Sequence, residues 1–193
     1  MTPEAPRALS LVARQRMALE MVEAGAPLPD ILALLCHIVE AEAKSLVRAS
    51  ILLVDHAENR LRTGAGPGLP DRYNAAVDGI GIAPGVGTCA AAAATGRIVE
   101  THDIATDPGW AGIAHLPLGL GLVAAWSMPI VARDGRVLGT FGTYFTERRA
   151  PTPYEVDLVA VLARTAAVAI ERAVMPAPPP APMHASGQYE TTR

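Results

Sequence analysis

The chain has 193 residues, half of them apolar and 18% charged, and its 16 basic and 19 acidic residues give a formal net charge of −3. This composition excludes a largely disordered chain and gives one domain room for a real core. The charges are scattered, so no basic stripe for nucleic acid exists, and no apolar run approaches the ~20 residues of a membrane span.

Residues 7–24 are read as a first helix, with Leu9, Val12, Met17 and Met21 apolar and Arg14, Arg16, Glu20 and Glu23 wet. Gly25, Pro27 and Pro29 break it. A second helix starts near Pro29-Asp30, and Leu32, Leu35, Ile38 and Val39 follow at helical spacing. From Arg48 the period changes. Residues 49–54 and 61–65 are two strands around a polar turn, Asp55 to Asn59. Leu69-Pro70-Asp71 opens a short helix ending near Val77, and a glycine-punctuated loop runs from Gly79 to Gly87. Five consecutive alanines place a helix over Thr88 to Thr95, which Gly96 stops. Residues 97–101 are a short strand. Residues 103–122 are irregular, with a short helix expected around Ala111 to Leu116.

The strongest hairpin joins residues 123–133 to 136–146 through Asp134-Gly135, a two-residue signal of the type I′ kind. That turn pairs Val131 with Leu138, Pro129 with Thr140, Ser127 with Gly142 and Ala125 with Tyr144 on one face. Ile130 with Gly139, Met128 with Phe141 and Trp126 with Thr143 form the greasier face, assigned to the core under the terminal helices. The mixed face, with Ser127, Thr140 and Tyr144, is the better pocket wall. Pro129 cannot donate to a ladder, which points to an edge or bulge.

Thr152-Pro153-Tyr154-Glu155 is a capping box, and the helix after it runs to about Val174. It is apolar over most of its circumference and so is buried on two sides, by the sheet and by a partner helix. That partner is either the same helix of a second subunit, the favoured reading, or the N-terminal helix of the same chain. A polyproline tract, Pro176 to Pro182, opens a polar tail.

Several residues could carry chemistry. Cys89 stands at a predicted helix start, where a thiol has a lowered pKa; the alternative is a small buried hydrophobe, and it is favoured. The glycine loop before it lacks the Lys-Ser/Thr of a phosphate loop. The five histidines, His37, His56, His102, His115 and His184, form no metal motif. Asp107 begins a turn, Asp103 caps one, and Trp110 either anchors this segment or stacks on a flat ligand. Cys36 and Cys89 lie in unlike contexts, which argues against a disulfide framework and for a cytosolic address.

The series Leu69-Pro70, Gly85-Val86-Gly87-Thr88-Cys89, Asp103-Ile104, Asp107-Pro108-Gly109-Trp110, Ala125 to Ile130, Gly139-Thr140-Phe141 and Tyr144 resembles the GAF family of sensing modules, over about Pro29 to Arg172. The resemblance implies an α/β (α+β) fold: a central antiparallel sheet of about six strands, terminal helices on one face, and short helices and loops over a pocket on the other. It implies that the segment 103–122 is a lid. The family motif continues after its cysteine with Gly-Thr, where this chain has Ala90-Ala91, which dries the pocket floor.

GAF-like methionine sulfoxide reductases need an attacking and a resolving thiol, and Cys36 is far from Cys89 in sequence. The Cys36-His37 pair lies in the wrong helix for a bilin site, and His115 alone is weak evidence for haem. Neither cofactor is expected.

The expectation is a non-catalytic, bacterial-type, cytoplasmic homodimeric sensor of an unidentified small molecule. It acts on a partner in trans, or belongs to a longer sensor, without nucleic acid or membrane. Its regions are a signalling or dimerisation helix at 1–28, the sensor domain at 29–175 and a disordered tail at 176–193. Its ligand-binding candidates are Cys89, Thr101, Asp103, Trp110, Ser127, Thr140 and Tyr144. The alternatives are a thiol enzyme or redox sensor using Cys89 and a ligand-free dimerisation module, which would have a side-chain-filled pocket behind Ser127 and Tyr144.

Overall fold

The computed structural model describes residues 5–43 and 46–174. The proline-rich tail expected at 176–193 lies outside them. Helices α1 (Ala5–Glu23) and α2 (Leu28–Glu42) precede strands β1 (Val47–Asp55) and β2 (Arg60–Ala65). Next come α3 (Asp71–Val77), α4 (Gly87–Thr95) and β3 (Val99–Thr101). A 3-10 turn (Pro108–Trp110) and α5 (His115–Leu118) lead to β4 (Ala124–Val131), β5 (Val137–Phe145) and α6 (Pro153–Val174). The five strands, close to the expected six, form one antiparallel sheet in the order β2-β1-β5-β4-β3.

The sheet's two faces follow from the alternation of side chains along a strand. Trp126, Met128, Ile130 and Phe141 face α2 and α6, where Leu32, Leu35, Val39, Leu158, Val159 and Leu162 complete the larger core. On the other face, Ala125 and Tyr144 meet Tyr73 of α3, Cys89 of α4 and Trp110 of the 103–122 segment. The short helix expected at Ala111 to Leu116 is instead split between the 3-10 turn and α5.

The β4–β5 pairing follows the alternation from Ala125↔Tyr144 to Ile130↔Gly139. It departs at the turn: Val131 pairs with Val137, not Leu138, across an irregularity. The two-residue type I′ turn is also corrected. That turn needs a positive φ at both central residues, and here Gly135 has φ 89° while Asp134 does not. Gly135 N donates to Ala132 O at 3.0 Å, and Ala132 N to Arg136 O at 2.8 Å. These bonds close a three-residue loop, Arg133-Asp134-Gly135, with the glycine as the bulge residue. Pro129 lies where β3 has ended, because β3 pairs only with Ala125–Ser127. A residue without an N–H is tolerated there.

Helix α6 begins at the expected capping box. Thr152 N donates to Glu155 Oε2 at 2.8 Å, and Glu155 N to Thr152 Oγ1 at 3.3 Å. Arg149 Nη2 holds the same carboxylate at 2.7 Å, and its guanidinium lies 3.6 Å from the Phe145 ring centroid. Burial pushes the Glu155 pKa up, but the hydrogen bonds from Arg149 and Thr152 outweigh it and leave the group below its ordinary value. Beyond the sheet, α1 of the same chain packs on α6: Ala18 is fully buried and Gln15 Nε2 donates to Thr165 Oγ1 at 3.3 Å. Val12 and Val168 remain exposed, at 62% and 39%.

Thr152→Ala removes one half of the box. Urea denaturation should show a loss of about 1 kcal/mol; an unchanged midpoint would mean that α6 does not depend on its cap.

Candidate functional site

The site lies on the second face of the sheet, and strand alternation builds its floor. Ser127 and Tyr144 point to one side of β4 and β5, with Gly142 between them. Ser50 of β1 sits opposite Gly142. A Cβ on Gly142 would come within 2.8 Å of Cys89 Sγ and 3.2 Å of Ser50 Oγ, so the glycine lets α4 settle onto the strand.

A buried polar cluster results. Ser127 Oγ donates to Thr88 Oγ1 at 2.8 Å, and Cys89 Sγ lies 3.2 Å from Ser127 Oγ. Either atom of the second contact can be the donor. Tyr144 Oη is 4.0 Å from the sulfur, and its ring meets Tyr73 edge-on with centroids 5.9 Å apart. Thr140 is fully buried beside the thiol, and Ser50 is buried beside Tyr144.

The lowered thiol pKa, the less favoured of the two readings of Cys89, is not found. Burial pushes the Cys89 thiol above its ordinary value of 9.0, against the hydrogen bond from Ser127. Burial likewise raises Cys36, on the opposite face of the sheet, as well as Tyr73 and Tyr144. The site is neutral: hydroxyls and a protonated thiol.

A latch closes it. Trp110 Nε1 donates to Thr101 Oγ1 at 3.0 Å, and Thr101 Oγ1 donates to Asp107 Oδ2 at 2.7 Å. Asp107 Oδ1 accepts from Gly109 N at 2.8 Å and so shapes the turn that carries Trp110. The indole is 3% exposed. Ile104 and Leu122 are buried near the two ends of the segment. Trp110 is therefore an anchor in this structure, not an open stacking surface.

A family model described as GAF domain matches residues 25–171. The chain belongs to the GAF domain family. A curated relative, the methyl sulfide methyltransferase-associated sensor of Methanosarcina acetivorans, is 35% identical over 161 residues, which are 83% of this chain and 16% of that protein. Solved structures share the fold. The GAF domain of a phosphoenolpyruvate-protein phosphotransferase from Coxiella burnetii aligns with a TM-score of 0.69 at 18% identity, over 86% of this chain and 95% of that one. The free methionine-R-sulfoxide reductase of Neisseria meningitidis aligns with a TM-score of 0.64 at 17% identity, over 84% and 86%.

In this GAF domain, Cys89, Ser127, Thr140 and Tyr144 come together at the sheet, and Thr101 and Trp110 meet in the latch. Asp103 stands apart at the start of the 103–122 segment. Its Oδ1 accepts from Ala105 N at 3.1 Å, and its Oδ2 pairs with Arg148 Nε at 2.7 Å. His115 is exposed on α5. Ser50, Tyr73 and Thr88 join the Cys89 cluster without a local sequence signal for the site. Alternation places Ser50 on this face only once β1 is known to pair with β5, and that contact joins residues about half the chain apart. Among the described residues, no helix is long and apolar enough to cross a membrane.

The raised thiols and phenols bind their protons more tightly when folded. Their stabilisation is complete below the unfolded values and is lost as pH rises towards the folded ones. The buried thiols should therefore make the protein less stable at pH 10 than at pH 7.5. Urea midpoints that hold steady over that range would contradict the burial of both thiols.

Proposed function

We propose that this GAF domain is a regulatory, non-catalytic sensing module that takes a small uncharged molecule on the Cys89–Ser127–Tyr144 surface once the 103–122 lid opens. The carrying observation is the latch: bonds among Thr101, Asp107 and Trp110 fix the 103–122 segment beside a buried polar cluster. The cluster offers donors and acceptors but no countercharge, and burying an unpaired charge is costly. Asp107 is committed to Thr101 and Gly109. An uncharged ligand fits this chemistry, with no part for haem or bilin.

The lid's other connection supports a route outward. The Asp103–Arg148 pair joins it to the segment between β5 and α6, and the neighbouring Arg149 grips Glu155 in the first turn of α6. A ligand that binds the open lid more tightly than the closed one shifts the population and with it the α6 entry. The exposed Val12 on α1 and Val168 on α6 support a homodimer through these helices. The sensor relative supports the signalling role, and the small share of its length matched supports action within, or upon, a larger assembly. The free cysteines support a cytoplasmic setting.

Thiol catalysis is the competing class, and the buried protonated Cys89 argues against it, as does the placement of Cys36 across the sheet. Free methionine-R-sulfoxide incubated with the protein and dithiothreitol should yield no more methionine than with Cys89→Ala. Turnover that vanishes in the variant would defeat the non-catalytic reading. Native mass spectrometry of the same preparation should give the mass of a dimer.

A further inference from the structure

A second polar locus lies on the opposite face of the sheet, within the larger core. Trp126 and Thr143 are directly opposed on β4 and β5, and both are essentially inaccessible to solvent. The indole Nε1 and the Thr143 Oγ1 have no hydrogen-bond partner among the described residues. Both residues line a cavity of about 10 Å³, together with Glu42, Glu155, Val39, Val47 and others. A single water centre needs roughly 10–15 Å³ and two to four polar partners. The space suits one water and nothing larger.

Glu42 supplies the third partner. It is 6% exposed and is the last residue of α2, where the helix dipole disfavours a negative charge. Its Oε1 lies 3.2 Å from Arg14 of α1, and its Oε2 accepts from Tyr154 Oη of α6 at 3.1 Å. A carboxylate has room for about four hydrogen bonds, so Glu42, which lines the cavity, keeps acceptor capacity beyond Arg14 and Tyr154.

We propose that a single buried water occupies this cavity as an integral part of the domain. It accepts from Trp126 Nε1–H, bonds to Thr143 Oγ1 and donates to the Glu42 carboxylate. The water completes a junction at Glu42 where α1, α2, α6 and the sheet meet. The terminal helices are thereby tied to the sheet through a polar contact as well as by apolar packing. The water also removes the cost of two unpaired polar groups in an otherwise apolar core.

The test uses the full chain labelled with ¹⁵N. The two tryptophans give two indole N–H signals, which Trp110→Phe assigns. The Trp126 signal should show a cross-peak to long-lived water, while the Trp110 signal, bonded to Thr101, should not. Thr143→Val then gives a result whose sign decides. Loss of a hydroxyl bonded to water should lower the folding equilibrium constant by about tenfold. Loss of an unpaired hydroxyl should raise it, because methyl suits a dry core better. No water cross-peak at Trp126, or a urea midpoint that is unchanged or raised in Thr143→Val, overturns the proposal. The cross-peak is read on the unsubstituted chain, so the proposal stays testable if the variant folds poorly.

Discussion

Side chains on a β-strand alternate between two faces, and in this domain one hairpin uses that constraint twice. Trp126, Met128, Ile130 and Phe141 face the terminal helices and make a core. Ser127 and Tyr144, interleaved with them, face Cys89 and the lid. A slip of one residue would exchange the two sets. The three-residue loop with Gly135 is therefore more than a connection, because it sets the register on which both the fold and the site depend.

The two faces use polarity differently. On the site face, hydroxyls and a thiol are gathered around Gly142 and sealed by Trp110. On the helix face, Trp126 and Thr143 line a small cavity with Glu42, whose carboxylate also binds α1 and α6. The sheet thus separates a neutral polar cluster from a charged junction among the helices. The Asp103–Arg148 pair passes around the edge of this division, from the lid to the segment before α6. That pair is exposed on the arginine side, so its own energy is small. Its importance in this account lies in where it attaches.

What was legible in the sequence was mostly local. The capping box at Thr152, the alanine helix stopped by Gly96 and the two faces of the hairpin all follow from spacing over a few residues. The turn type is not local in this sense, because Asp134-Gly135 suits both a two-residue loop and the end of a three-residue one, and Asp134 without a positive φ selects the second. Cys89 shows a different limit. A helix start lowers a thiol pKa only where the site is not also desolvated, and the tyrosine and tryptophan that desolvate it come from distant segments. Ser50 and Tyr73 escaped for the same reason. Their membership of the site depends on non-local packing that no short window encodes.

The central claim is that the lid is a separate, latched unit above a preformed polar cluster. Native-state hydrogen exchange tests this most directly, in the unsubstituted protein and in Trp110→Phe, which loses the bond to Thr101. The account predicts that amides of residues 103–122 exchange faster than those of β4 and β5 in both proteins. In the variant, lid exchange should accelerate several-fold while the sheet is unaffected. Lid and sheet amides that exchange together, and respond equally to the substitution, would show that no separate opening exists and would contradict the account.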